Sequence, residues 1–122
     1  MSQVLLVDDD PIQLRVREQL LRGAGFSVTV ATSAETAWAV LQSAPLASHV
    51  GVIITDHLLP GMSGAEFVRH LRQNQITVPV VVLSGLPDVD EEYRGLDVAF
   101  RSKPCPPGEL IALVRTFVQR AA

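Results

Sequence analysis

The sequence predicts an α/β fold, a doubly wound parallel sheet with helices on both faces, and three observations predict it. First, short continuous apolar runs occupy residues 4–7 (VLLV), 50–54 (VGVII) and 78–83 (VPVVVL). Runs of this kind suit strands buried on both faces of a parallel sheet. Residues 27–31 (SVTVA) and 99–100 (AF) are weaker examples. Second, helical periods separate the runs. Third, the two patterns alternate as β-α five times, joined by short loops, which is the signature of a doubly wound sheet.

Taken in order, the first helix follows Asp10-Pro11, an N-cap followed by a proline at the first helical position, where its missing N–H costs nothing. Ile12, Val16 and Leu20 mark its apolar stripe, and Gly23 and Gly25 stop it. Thr32 and Glu35 form a capping box ahead of Ala34, Ala37, Trp38 and Leu41. Ser63 and Glu66 form a second, ahead of Phe67, Val68 and Leu71. Leu110, Leu113, Val114, Phe117 and Val118 give the cleanest amphipathic face, with Trp38 and Phe117 as core residues of their helices.

Composition narrows the function classes. A chain of 122 residues is most simply one domain, residues 1–122, burying about 65% of the surface of its unfolded chain. A net charge of −3 argues against nucleic acid as a direct partner, because a phosphate-binding footprint is basic. The single cysteine, Cys105, excludes an internal disulfide and fits a reducing compartment; it reads as a small apolar filler. No apolar run approaches the ~20 residues that span a bilayer, and the N-terminal residues lack a signal-peptide pattern. A soluble cytoplasmic domain with no membrane association is expected. Nine of the ten basic residues are arginine, so Lys103 stands alone.

Ligands of such sheets bind beyond the carboxyl ends of the strands, where strand order reverses. Asp8, Asp9 and Asp10 follow the first apolar run, Thr55 and Asp56 the third, Ser84 and Gly85 the fourth, Lys103 and Pro104 the fifth. Two carboxylates about 5 Å apart repel by about 3 kcal/mol at an effective dielectric of about 20. Convergence of Asp8, Asp9 and Asp56 therefore raises their pKa values or recruits a cation. Carboxylates, waters and a phosphoryl oxygen around a hard divalent ion are the Mg²⁺ pattern. With a hydroxyl and a lysine added, they form a phosphoryl-transfer site that produces an aspartyl phosphate. Asp10 itself reads as a helix cap. Lys103 offers a compact point charge that arginine does not easily replace in a tight site.

The segments LLVDDDP (5–11), VIITDHLLPGMSG (52–64), VVVLSG (80–85) and KP (103–104) together resemble the receiver domain of two-component response regulators, in order and over essentially the whole chain. The resemblance implies a flavodoxin-like, five-stranded parallel sheet ordered 2-1-3-4-5 with five helices. It assigns Asp8 and Asp9 to the acidic Mg²⁺-binding pair and Asp56 to the phosphoacceptor, with the Leu58 backbone carbonyl as a further metal ligand. Ser84 matches the switch hydroxyl and Lys103 the lysine that pairs with the phosphoryl group. Phe100 matches the switch aromatic, and Lys103–Pro104 a peptide bond that is cis in that family. Three departures stand out. Leu58 has no polar side chain, Cys105 replaces the usual aromatic, and the stretch from Ser84 to Lys103 is shorter than usual. Residues 87–95 (PDVDEEYRG) form a poor helix, so the fourth helix is expected to be short.

The implied function is a phosphorelay module rather than a turnover enzyme. Its partner is a histidine kinase or histidine phosphotransfer protein, with an unnamed downstream effector and at most a weak homodimer. The chain is either a stand-alone regulator or the receiver of a hybrid sensor kinase; residues 55–66 (TDHLLPGMSGAE) and 82–86 (VLSGL) look most like the latter. One rival is a Mg²⁺-dependent phosphohydrolase resembling the haloacid-dehalogenase group through Asp8-x-Asp10, but Pro11 and Ile12 follow where that motif needs Gly-Thr-like residues. Another is a phosphorylation-independent pseudo-receiver, against which the intact Asp8, Asp9, Asp56, Ser84 and Lys103 argue. His57 is expected to face solvent, as are Arg15, Arg17, Arg22, Arg69 and Arg72 on their helices.

Overall fold

A computed structural model of the chain describes residues 3–43 and 49–121. Five strands, β1 (Gln3–Val7), β2 (Ser27–Ala31), β3 (Val50–Asp56), β4 (Val80–Ser84) and β5 (Val98–Ser102), form one sheet ordered β2-β1-β3-β4-β5, with every neighbouring pair parallel. The apolar runs become strands because both faces are covered: β3 and β4 are buried at every residue. The edge strands β2 and β5 are only partly covered, which is why their sequences carry a weaker signal.

Four α-helices accompany the sheet among the described residues: α1 (Pro11–Gly23), α2 (Ala34–Gln42), α3 (Gly64–Gln73) and α4 (Pro107–Ala121). The segment expected as a short fourth helix of five is instead a four-residue 3-10 turn, Asp90–Tyr93. Leu14, Leu21, Leu110 and Val114 of α1 and α4 pack on one face of the sheet with Leu6, Ile54 and Leu83. Ala37, Leu41, Phe67, Val68, Leu71 and Tyr93 pack on the other with Leu5, Ile53 and Val82.

Asp10 caps α1 as expected, accepting from the backbone N–H groups of Ile12 at 2.9 Å and Gln13 at 3.3 Å. The helix docks on the sheet with Leu14 and Leu21 inward. The stripe of Ile12, Val16 and Leu20 is thereby corrected: Ile12 and Val16 are exposed, and only Leu20 packs against the core. The cap of α2 also shifts by one residue, from Thr32 to Ser33, whose side chain accepts from Thr36 N–H. The Ser63–Glu66 capping box of α3 forms as read.

Arg72 is not a solvated helix arginine. Its Nε donates to Leu96 O at 2.8 Å, Nη1 to Ile76 O at 2.8 Å and Val78 O at 3.0 Å, and Nη2 to Asp97 O at 3.1 Å. It thereby clamps the loops that enter β4 and β5. Burial lowers its pKa, partly offset by Asp97.

Candidate functional site

The reversal of strand order lies between β1 and β3, and register puts their ends level: Val7 pairs with Thr55, so Asp8 and Asp56 leave the sheet side by side. Asp56 in turn pairs with Leu83 of β4, and Ser84 with Ser102 of β5, one residue before Lys103. Four strand ends therefore deliver Asp8, Asp56, Ser84 and Lys103 to one edge of the sheet, as the sequence predicts.

One carboxylate oxygen from each of Asp8, Asp9 and Asp56 lies within 4.8 Å of the others. Asp8 is fully buried, Asp56 nearly so, and Asp9 is exposed. Lys103 Nζ stands 2.5 Å from Asp56 Oδ1. The Lys103 ammonium is thus the direct partner of the buried Asp56 Oδ1. Burial pushes the Asp56 carboxyl above its ordinary pKa; the Lys103 contact opposes this and the charge of Asp8 adds to it. Three carboxylates facing Arg17 and Lys103 leave one negative charge over. Three converging carboxylates, two of them buried, are a donor set that fits a hard divalent cation.

Ser84 is buried at the end of β4. Its Oγ accepts from Leu86 N–H at 3.0 Å, and its carbonyl accepts from Lys103 N–H at 2.8 Å. The Lys103–Pro104 peptide is cis. Leu58 follows β3 and is 60% exposed. Phe100 sits away from the carboxylates, half-buried, its ring 5.9 Å from that of Tyr93. Asp10 is held in the α1 cap, which removes it from the Asp8-x-Asp10 pair that a dehalogenase-like hydrolase would need. Cys105 is half-buried against the α1–α4 core, and burial raises its thiol pKa, as suits a filler.

Three groups near the site escaped sequence reasoning. His57 is buried, not solvent-facing: its Nδ1 lies 2.7 Å from the Tyr93 hydroxyl and its Nε2 3.5 Å from Glu92 Oε2. Burial raises the Tyr93 pKa, keeping the phenol protonated. A Tyr93 hydroxyl that donates to Nδ1 leaves the imidazole proton on Nε2, facing Glu92. The end of β3 is thereby tied to the 3-10 turn. Gly64 completes this junction, because a Cβ there would stand 2.6 Å from Asp56 O and 2.7 Å from the Tyr93 hydroxyl. Arg17 is also not solvated: its Nη1 lies 2.6 Å from Asp8 Oδ2, and its Nη2 donates to Gln13 Oε1 at 3.1 Å. Gln13 Oε1 accepts from Lys103 as well, at 3.3 Å. Gln13 and Arg17 share a helix face by their i, i+4 spacing, the one sequence signal that could have marked them.

A cavity of 330 Å³ opens beside the carboxylates, lined by Gln13, Arg17, Lys103, Pro104 and Cys105. A larger one, of 500 Å³, lies at the opposite edge of the sheet, where Thr77, Pro79, Asp97 and Phe117 contribute to its walls.

The model of the response regulator receiver domain matches residues 4–115. The chain is 33% identical over 117 residues to the C4-dicarboxylate transport transcriptional regulatory protein DctD of Pseudomonas aeruginosa, covering 93% of this chain and 24% of that protein. It is 30% identical over 122 residues to the cell cycle response regulator CtrA of Brucella ovis, covering 98% of this chain and 51% of that one. The chain thus spans between a quarter and half of the length of these relatives. The receiver domain of the Francisella response regulator 1452 superposes with a TM-score of 0.89 at 25% identity, covering all of both chains. With its CheY-like fold, its sheet order and a family match over nearly its whole length, the chain belongs to the response regulator receiver domains of two-component systems.

Proposed function

We propose that residues 1–122 act as one phosphoacceptor module, in which Asp56 takes a phosphoryl group from a phosphohistidine of a histidine kinase or histidine phosphotransfer protein. The observation that carries this reading is the convergence of Asp8, Asp9 and Asp56 within 4.8 Å of one another, with the buried Asp56 Oδ1 held 2.5 Å from the only lysine of the chain. An Asp56 carboxylate oxygen attacks phosphorus, the P–N bond breaks, and its electron pair leaves on the donor imidazole. Asp8, Asp9, Asp56 and the Leu58 carbonyl would hold Mg²⁺, which supplies neutralisation of the charge on the phosphoryl oxygens. Lys103 stabilises the charge that remains, and Ser84 offers a hydroxyl one strand away.

The phosphoryl charge on Asp56 competes for Lys103 and Ser84 and so biases the surface that includes Phe100 and the 3-10 turn. Ile12, Val16, Leu58 and Leu86 are exposed apolar residues carried by α1 and the loops at this same edge, as docking of a protein partner requires. Among the described residues no helix is long and apolar enough to cross a membrane. The activity is a stoichiometric phosphorylation of the chain itself, followed by its own hydrolysis. Incubation with Mg²⁺ and acetyl phosphate should add one phosphoryl group by intact mass, and Asp56→Asn should abolish it. Turnover of phosphoesters would favour a phosphohydrolase, and absence of any adduct a pseudo-receiver.

A further inference from the structure

Asp8 is fully buried and both of its oxygens are in use. Oδ1 accepts from Asp10 N–H at 2.9 Å, a donor fixed by the start of α1. Oδ2 is paired with Arg17 Nη1 at 2.6 Å. A cation that draws on Asp8 meets a positive guanidinium already seated on Oδ2, and of the two donors only the Arg17 side chain can swing away. It has somewhere to go: Arg17 lines the 330 Å³ cavity at the mouth of the site, together with Gln13 and Lys103. Gln13 Oε1 keeps its hold on the guanidinium from one turn earlier in α1.

We propose that Arg17 is a tethered counter-ion that competes with the metal for Asp8, so that the guanidinium and the cation occupy that carboxylate in turn. The proposal rests on the reading of Asp8, Asp9 and Asp56 as the metal site. Arg17 keeps the buried charge of Asp8 compensated when no cation is held, because an unpaired buried carboxylate is costly. It also raises the cation concentration at which the site fills. When a cation takes Asp8, Arg17 moves toward the cavity and stands beside Lys103 as a second positive group.

The test is binding of Mn²⁺, followed by the paramagnetic resonance of the free ion, to the wild-type chain and to Arg17→Gln, Arg17→Lys and Asp8→Asn. A charge-assisted hydrogen bond of this type is worth enough that Arg17→Gln should bind Mn²⁺ about tenfold to a hundredfold tighter. Arg17→Lys should fall between, and Asp8→Asn should bind far more weakly. In the wild type, the Arg17 guanidinium nitrogen resonances should move from hydrogen-bonded to free positions as Mg²⁺ saturates; this readout needs no variant to fold. Equal or weaker binding by Arg17→Gln, or guanidinium resonances that ignore Mg²⁺, would overturn the proposal and leave the metal site standing. Binding by none of the four proteins would overturn the metal-site reading and the proposal with it.

Discussion

The two ends of the sheet each hold arginine against the fold, and they use it in opposite ways. At the amino end, Arg72 directs all its nitrogens at four backbone carbonyls of the loops entering β4 and β5. At the carboxyl end, Arg17 and Lys103 face carboxylates and share one glutamine oxygen. Arg72 joins backbone atoms of two loops at once, so its role is structural. Carboxylates can exchange a side-chain cation for a metal ion, so the partners of Arg17 and Lys103 are replaceable, and replacement is what a switch needs.

Breaking the comparison at the amino end should have the largest effect. Arg72→Leu strands several carbonyls and should cost about 3 kcal/mol in denaturant unfolding, while the folded fraction still phosphorylates at the wild-type rate. At the carboxyl end the effect falls on chemistry: Lys103→Ala should slow phosphorylation by acetyl phosphate about a hundredfold, as removal of a charge-stabilising donor does elsewhere. Between the two lies the His57–Tyr93 contact. Tyr93→Phe should lose about 1 kcal/mol, read by urea denaturation, and shift the His57 ring resonances.

The smallest effect sharpens the electrostatics. The Asp56 carboxyl is raised, so the folded chain holds its proton more tightly than the unfolded chain. Its contribution to stability is full below the unfolded-state pKa and is lost as pH rises through the folded-state pKa. In metal-free buffer, Asp56→Asn should therefore melt higher than wild type at neutral pH. The gain should fade as the pH falls through the carboxylate range. A difference that grows on acidification would reverse the assignment.

Much of the fold and of the site was legible in the chain. The buried strands β3 and β4 read as β-branched runs because both faces are covered, and the polar residues just past the ends of the runs located Asp8, Asp56, Ser84 and Lys103. The shortness of the stretch between Ser84 and Lys103 pointed to a short fourth helix there, which the structure reduces further to one 3-10 turn. The features that stayed hidden depend on distant partners. His57 is buried by Tyr93, 36 residues on, and Arg72 by carbonyls up to 25 residues away. Helical period alone cannot tell a solvated arginine from a clamped one. Ile12 and Val16 looked like a core stripe because the spacing of Ile12, Val16 and Leu20 fits one helical face as well as that of Leu14 and Leu21 fits another, and only docking on the sheet chooses between them.

The central claim is that Asp56, among the carboxylates at this edge, is the one that forms the acyl phosphate. Borohydride reduction of the phosphorylated chain converts the modified aspartate to homoserine, which peptide sequencing by mass spectrometry locates. A single homoserine in place of Asp56, absent without Mg²⁺, is the predicted result. Homoserine at Asp8 or Asp9, or none in a chain that has gained a phosphoryl group, would contradict it.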